Sequence, residues 1–174
     1  PSTLGDALRA QLPDVQPAAF AGGAVMILAP GCRTGQEVLK LALQHPDSLI
    51  MGLDASRANI AFAWRKAMQM ELTNVRFTQG TIDDLKGFDG RFHLIDVAQD
   101  LSLTANTVGN WQTLVDLLEP RGYMKVGLFS ETGRAGVAAA REVLGEHRQY
   151  KTPDDLRAAR SQLMALESGH PARA

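Results

Sequence analysis

The sequence predicts an α/β fold, an open and doubly wound parallel sheet with helices on both faces. Three observations predict it. Short apolar runs alternate with segments of helical period along most of the chain. Five such runs are separated mostly by helices, which calls for parallel pairing through right-handed crossovers. The length of 174 residues, 45% of them apolar, suffices for one domain with a substantial core and falls short of two ordinary ones.

Residues 1–22 read as an N-terminal extension, a helical turn or two followed by a loop containing Pro13, Pro17 and Gly22. The domain proper is expected over 23–168. Its first strand is "AVMILA" (24–29), and "GQEVLKLALQH" (35–45) is a helix stopped by Pro46. "SLIMGLD" (48–54) is an apolar strand ending in an acid. Ser56 can cap a helix whose Ile60, Trp64, Ala67, Met68 and Leu72 recur at helical spacing. "NVRFTQ" (74–79) is a third strand with Val75 and Phe77 on one face, and the turn "GTIDDLKGFDG" leaves little room for a full helix. "FHLIDVA" (92–98) is the fourth strand. A helix over 107–120 places Trp111, Leu114, Val115 and Leu118 on one face, and Pro120 is expected to end it before the strand "GYMKVGLFS" (122–130). The helix "AGVAAAREVLGEH" follows. The last helix starts strongly, with Thr152 as cap, Pro153 at its first position and Asp154 and Asp155 in its first turn. Residues 169–174 read as a frayed tail.

Composition narrows the partners. With 18 basic and 19 acidic residues the net charge is −1, so no global field draws the chain to nucleic acid. The one cysteine, Cys32, excludes an internal disulfide, and His45, His93, His147 and His170 lack metal-ligand spacing, so no metal is expected. No apolar run approaches the roughly 20 residues of a membrane span, and the expected location is cytoplasmic. The chain begins at Pro1, which reads as the loss of its native start.

In a doubly wound sheet ligands sit beyond the carboxyl ends of strands, where strand order reverses. The loop after the first strand is Gly31-Cys32-Arg33-Thr34-Gly35. It is not a P-loop, because Gln36 follows Gly35, and it fails the dinucleotide pattern, because Arg and Gln stand at 33 and 36. A nicotinamide-dependent oxidoreductase is disfavoured on that ground. What remains is a strand-turn-helix whose first N–H groups can hold a carboxylate or other small polar group. Asp54, at the end of the second strand, is placed either to bond a ribose or to cap the turn into Ser56. In "QGTIDD", Thr81 and Ile82 offer a hydroxyl and an apolar surface for an aromatic base, or else a satisfied turn and a core side chain. His93 begins a buried strand and reads as a neutral, hydrogen-bonded core histidine. Trp64 and Trp111 read as helix anchors.

These stretches, from about Val25 to about Leu166, resemble class I S-adenosylmethionine-dependent methyltransferases, in particular bacterial methyltransferase domains associated with tetratricopeptide repeats. The resemblance runs through "ILAPGCRTGQEVLKLAL", "GLDASRANIAFAWRKA", "LTNVRFTQGTIDDL", "FHLIDV" and "LVDLLEPRGYMKVGLFSE". It implies a Rossmann-like sheet of strand order 3-2-1-4-5 and S-adenosyl-L-methionine as cofactor. Gly31 and Gly35 would bracket the methionine part, Asp54 and the adjoining Ala55 the ribose, Thr81 and Ile82 the adenine, and Ala98 the sulfonium.

Members of that family carry Gly at the positions of Arg33 and Arg121 and Asp at those of Thr81 and His93, and often a His pair at those of Ser102 and Leu103. A non-Gly residue at 33 costs about 1–2 kcal/mol if the turn is left-handed there, whereas Gly122 is expected to serve the turn at 121. The family's C-terminal antiparallel strands are missing, so the domain reads as truncated, with an open edge beyond the fifth strand through which a homo-oligomer could form.

The implied function is S-adenosylmethionine-dependent methyl transfer to an unknown acceptor, with no catalytic residue assigned. Asp96 and Asp100 are the nearby carboxylates to test for an acceptor role. The alternative is a non-catalytic domain that keeps the fold and serves as a binding or structural module.

Overall fold

The apolar runs become five strands, β1 (Val25–Pro30), β2 (Ser48–Asp54), β3 (Val75–Gln79), β4 (Phe92–Val97) and β5 (Leu118–Val126). They come from a computed structural model that describes residues 24–97, 106–130, 132–145 and 150–173 together with Asp6 and Ala10. All pair in parallel, in the order β3-β2-β1-β4-β5, as expected. The order reverses between β1 and β4, and β3 and β5 are the edges.

The connecting helices are α1 (Gln36–Gln44), α2 (Arg57–Gln69) and α3 (Thr107–Asp116), with a single 3-10 turn at Ile82–Leu85 in the narrow β3–β4 connection. Two cores result. Ile27, Ala29, Val38, Leu39, Ile50 and Leu94 gather in one, and Leu28, Leu53, Ile82, Phe92, Ile95 and Leu114 in the other. The strands are apolar on both faces because both faces are covered. Asn74 pins the start of β2 to the end of α1, its amide donating to the carbonyls of Ala42, His45 and Ser48.

Helix α2 meets the sheet differently from the expected apolar stripe. Its buried residues are Ala63 and Ala67, while Trp64 and Met68 are exposed. Only small side chains fit there, because a Cβ built on Gly35 would lie 2.6 Å from the Ala63 Cβ. Trp64 still touches the sheet through an edge-to-face contact with Phe77. On α3 the inward face is Asn110, Thr113 and Leu114, and Trp111 and Val115 are exposed, so Trp111 is not a core anchor.

The expected boundary at Pro120 moves. Helix α3 stops at Asp116, and Pro120 lies inside β5. A missing N–H is tolerated there because β5 is an edge strand and bulged. Phe92 pairs with Leu118 and Leu94 with Tyr123, so β4 advances two residues while β5 advances five. Arg121 takes up the slack at φ 73°, and Gly122 has no positive φ. Gly122 therefore does not serve the left-handed turn; it serves close approach, since a Cβ on it would lie 3.0–3.2 Å from the carbonyl oxygens of Glu119, His93 and Phe92.

The chain forms two compact units, Pro1–Leu128 and Phe129–Ala174. The second contains α4 (Ala135–Leu144) and α5 (Pro153–Met164), with 3-10 turns at Thr132–Arg134 and Pro171–Arg173. Helix α5 opens on a capping box, with Thr152 accepting from the Asp155 N–H and Asp155 accepting from the Thr152 N–H and hydroxyl. Among the described residues no helix is long and apolar enough to cross a membrane.

Candidate functional site

The loop that leaves β1 is built on left-handed backbone at every second residue: Gly31 at φ 67°, Arg33 at 51° and Gly35 at 79°. Glycine adopts this region freely, but an arginine held there carries about 1–2 kcal/mol of strain. Hydrogen bonds impose the conformation. The Cys32 N–H donates to the Leu53 carbonyl at 2.9 Å and the Gly35 N–H to the Cys32 carbonyl at 2.9 Å. The Arg33 N–H donates to Asp54 Oδ2 at 2.8 Å. Gly35 then stands as the N-cap of α1, whose first turn no side chain caps.

Of the two tasks that its position suggested as alternatives, the bonds of Asp54 show the capping one. Its side chain is 8% exposed. Oδ2 takes the Arg33 N–H, and Oδ1 takes the Ser56 N–H at 2.8 Å and the Asn59 amide at 3.0 Å. A carboxylate offers about four acceptor directions, so about one is left for a ligand hydroxyl. Asn59 escaped the sequence reading, although Asp54-x-Ser56-x-x-Asn59 marks a carboxylate followed by a helix cap and a side chain that reaches back one turn. Ala55 lies exposed beyond Asp54, its carbonyl accepting from Gln79 Nε2 at 3.2 Å.

The β3 turn has the internal bonds and the core side chain that its sequence allowed. The Thr81 N–H and hydroxyl both donate to Asp84 Oδ2, at 2.7 and 2.9 Å, and these bonds hold the Asp84 carboxyl below its ordinary value. Ile82 is buried in the second core. Its side chain belongs to the interior, and what the turn presents outward is the backbone and the exposed Thr81 and Asp84. The signal for Asp84 was the Thr-x-x-Asp spacing of a capping box. Ala98, Asp100, Ser102 and Leu103 lie outside the described residues.

Between the loop and β4 is a cavity of about 250 Å³ lined by residues 29–34, Gln36, Glu37, Val38, Leu41 and Asp96. It sits where strand order reverses, the place the fold reserves for ligands. Gly31 lines it; Asp54, Ala55, Thr81 and Ile82 do not. The structure thus gathers Gly31, Gly35 and Asp54 through one loop and leaves the Thr81–Ile82 turn apart. At this volume, below the usual ligand-site range of about 300–1,000 Å³, the cavity suits one end of a larger ligand. His93 is half-buried at the other end of β4, where Nδ1 accepts the Met26 N–H at 3.0 Å; it is a structural acceptor between β1 and β4.

The family model described as "Methyltransferase domain" matches residues 23–163. The trans-aconitate 2-methyltransferase of Deinococcus radiodurans is 42% identical over 57 residues, which are 33% of this chain and 20% of that protein. Among solved structures, PKMT2 from Rickettsia typhi in complex with AdoHcy aligns with a TM-score of 0.64 at 24% identity, over 86% of this chain and 30% of that one. The [4+2]-cyclase SpnF aligns with a TM-score of 0.56 at 24% identity, over 68% of this chain and 44% of that one. The chain spans 20% of that curated relative and 30% of PKMT2, and the structural likenesses are likenesses of fold. With the sheet, the left-handed loop and Asp54 all inside the matched 23–163, the chain belongs to the methyltransferase-domain family.

Proposed function

We propose that residues 23–168 form a domain that binds S-adenosylmethionine and presents its methyl group to an acceptor. The observation that carries this reading is the β1 loop, left-handed at 31, 33 and 35 and tied by the Arg33 N–H to Asp54 at the switch point of the sheet. The residues fit the group. The cavity beside Gly31 is of a size for the amino-acid end, the uncapped first turn of α1 suits its carboxylate, and the remaining acceptor direction of Asp54 suits a ribose hydroxyl. Thr81 and the backbone at Ile82 would border the adenine, and Ala98 would border the sulfonium. When bound, S-adenosylmethionine supplies an electrophilic methyl group. Transfer depends on holding the two reactants in line more than on an acid or base, so the protein's part is placement.

Calorimetric titration with S-adenosylhomocysteine tests this. Binding that an Asp54→Ala variant loses while its melting curve shows it folded supports the reading; no heat at millimolar ligand ends it. A second reading, a domain that keeps the fold without the cofactor, is favoured by the strained Arg33 and by the Thr81 hydroxyl being spent on Asp84. The association with tetratricopeptide repeats rests on the resemblance alone.

A further inference from the structure

Helix α2 carries on its outward face side chains that neither the core nor the cavity beside the β1 loop uses. Ala63 and Ala67 turn inward, and helical spacing puts Trp64 and Met68 on one flank of the opposite face, Phe62 on the other and Arg65 between them. Phe62 is 39% exposed, Trp64 46% and Met68 64%. One such residue on a surface is ordinary, whereas three on one helix face ask for an occupant. The indole is held at its edge by Phe77, so it is ordered before any partner arrives. The Arg65 guanidinium and the Lys66 ammonium lie 5.7 and 5.9 Å from the centre of the Phe62 ring. From Ala55 to Met70 the charged residues are Arg57, Arg65 and Lys66, with no acid. None of the three pairs with a carboxylate among the described residues. The face is thus positive on a chain of net charge −1, and the rest of the chain has an excess of acid.

We propose that the outward face of α2 docks this protein onto an anionic lipid surface. Charge complementarity selects the occupant. Lipid phosphates attract the unpaired cations, and the interfacial layer takes indole and phenyl rings. A ring flanked by two cations matches that layer, with the ring toward the acyl boundary and the charges at the level of the phosphates. The acidic remainder of the chain is repelled by the same surface, which turns α2 toward it. A second copy is disfavoured, since two such faces would bring only cations together. A protein hot spot gathers its aromatic anchors at the centre of a polar rim. On α2 the order is reversed, with Arg65 at the centre and the apolar side chains on the flanks, an arrangement to which a fluid surface adapts.

Cosedimentation of the whole protein with vesicles tests this. Binding to vesicles of phosphatidylglycerol and phosphatidylcholine in equal parts should be at least about tenfold stronger than to phosphatidylcholine alone. Arg65→Gln with Lys66→Gln should remove about that preference, and Phe62→Ser with Met68→Ser should weaken binding severalfold, both pairs melting close to wild type because all four side chains are exposed. The chain has two tryptophans, so Trp111→Phe leaves Trp64 as the reporter, and its emission should move to the blue on anionic vesicles. Cosedimentation that both double variants leave unchanged, or a Trp64 emission that the vesicles do not move, would put the contact on another face and overturn the proposal. Failure of the wild-type protein to bind anionic vesicles would also overturn it. If soluble polyglutamate then bound and moved the Trp64 emission, the face would belong to an acidic protein instead.

Discussion

Arg33 invites a measurement that separates backbone strain from side-chain effects. At φ 51° any residue with a Cβ carries about 1–2 kcal/mol of strain that glycine avoids. Glycine in turn costs about 0.4–1 kcal/mol by loosening the unfolded chain. Arg33→Gly should therefore exceed Arg33→Ala in stability by about 1 kcal/mol, which for a chain of this length is about 2–4 °C in Tm. Comparing Gly with Ala, rather than with Arg, removes the guanidinium's contacts from the difference. Thermal unfolding of the two variants side by side is the assay, and an alanine variant that melts as high as the glycine one refutes the reasoning. The same pair reads the site. Both variants binding S-adenosylhomocysteine tenfold more tightly than wild type, about 1.4 kcal/mol, would identify the arginine side chain as the obstruction. A gain confined to glycine would identify the backbone.

Four more outcomes follow from the structure. Gly35→Ala combines left-handed backbone with a Cβ 2.6 Å from that of Ala63, and urea titration should show a loss of about 2–5 kcal/mol. Arg121→Gly should raise Tm relative to Arg121→Ala, because 121 and not 122 holds the left-handed conformation in β5. Burial pushes His45 below its ordinary 6.5, so the folded state binds its proton less readily than the unfolded chain. Stability should fall as pH drops from about 6.5 through the lowered value, and His45→Gln should flatten that slope in urea midpoints measured between pH 7 and 5. The carboxyl of Asp84 is likewise lowered, so its contribution is present above its ordinary 3.8 and lost below it, and Asp84→Asn should remove that acid-limb loss.

The sheet was legible because its signal is repeated. Each apolar run, bounded by turn residues, reports a strand independently, and the crossover rule then fixes parallel pairing. Helix faces were less legible. Period alone placed Trp64, Met68, Trp111 and Val115 inward, yet α2 comes so close to the Gly35 loop that alanines must face it, a constraint set by a residue 28 positions away. Pro120 misled for a related reason, since a proline ends a helix or rides an edge strand, and which one applies depends on strand order. In the site, Asp54 was legible by position and its bond to Arg33 was not, because the donor is a backbone N–H with no sequence signature. Asp96 was legible only as a nearby carboxylate; its unpartnered oxygen depends on what β5 and α1 bring beside it.

The two buried carboxylates among the described residues, Asp54 and Asp96, differ in how far the protein itself satisfies them, and that difference decides what each can report. Asp54 gives three acceptor directions to its own chain, so removing it frees the β1 loop as well as any ligand. Loss of binding in Asp54→Ala is informative only beside a melting curve, because hydrogen bonds to a charged group are worth about 1.5–3 kcal/mol each. Asp96 gives one direction, to an exposed lysine, and keeps the other buried. Neutralising it relieves a charge the fold does not fully use, so Asp96→Asn should melt close to wild type. The fold alone cannot choose among activities, since the sheet that aligns with PKMT2 also aligns with the [4+2]-cyclase SpnF. Ligand titration read beside those melting curves carries the choice instead.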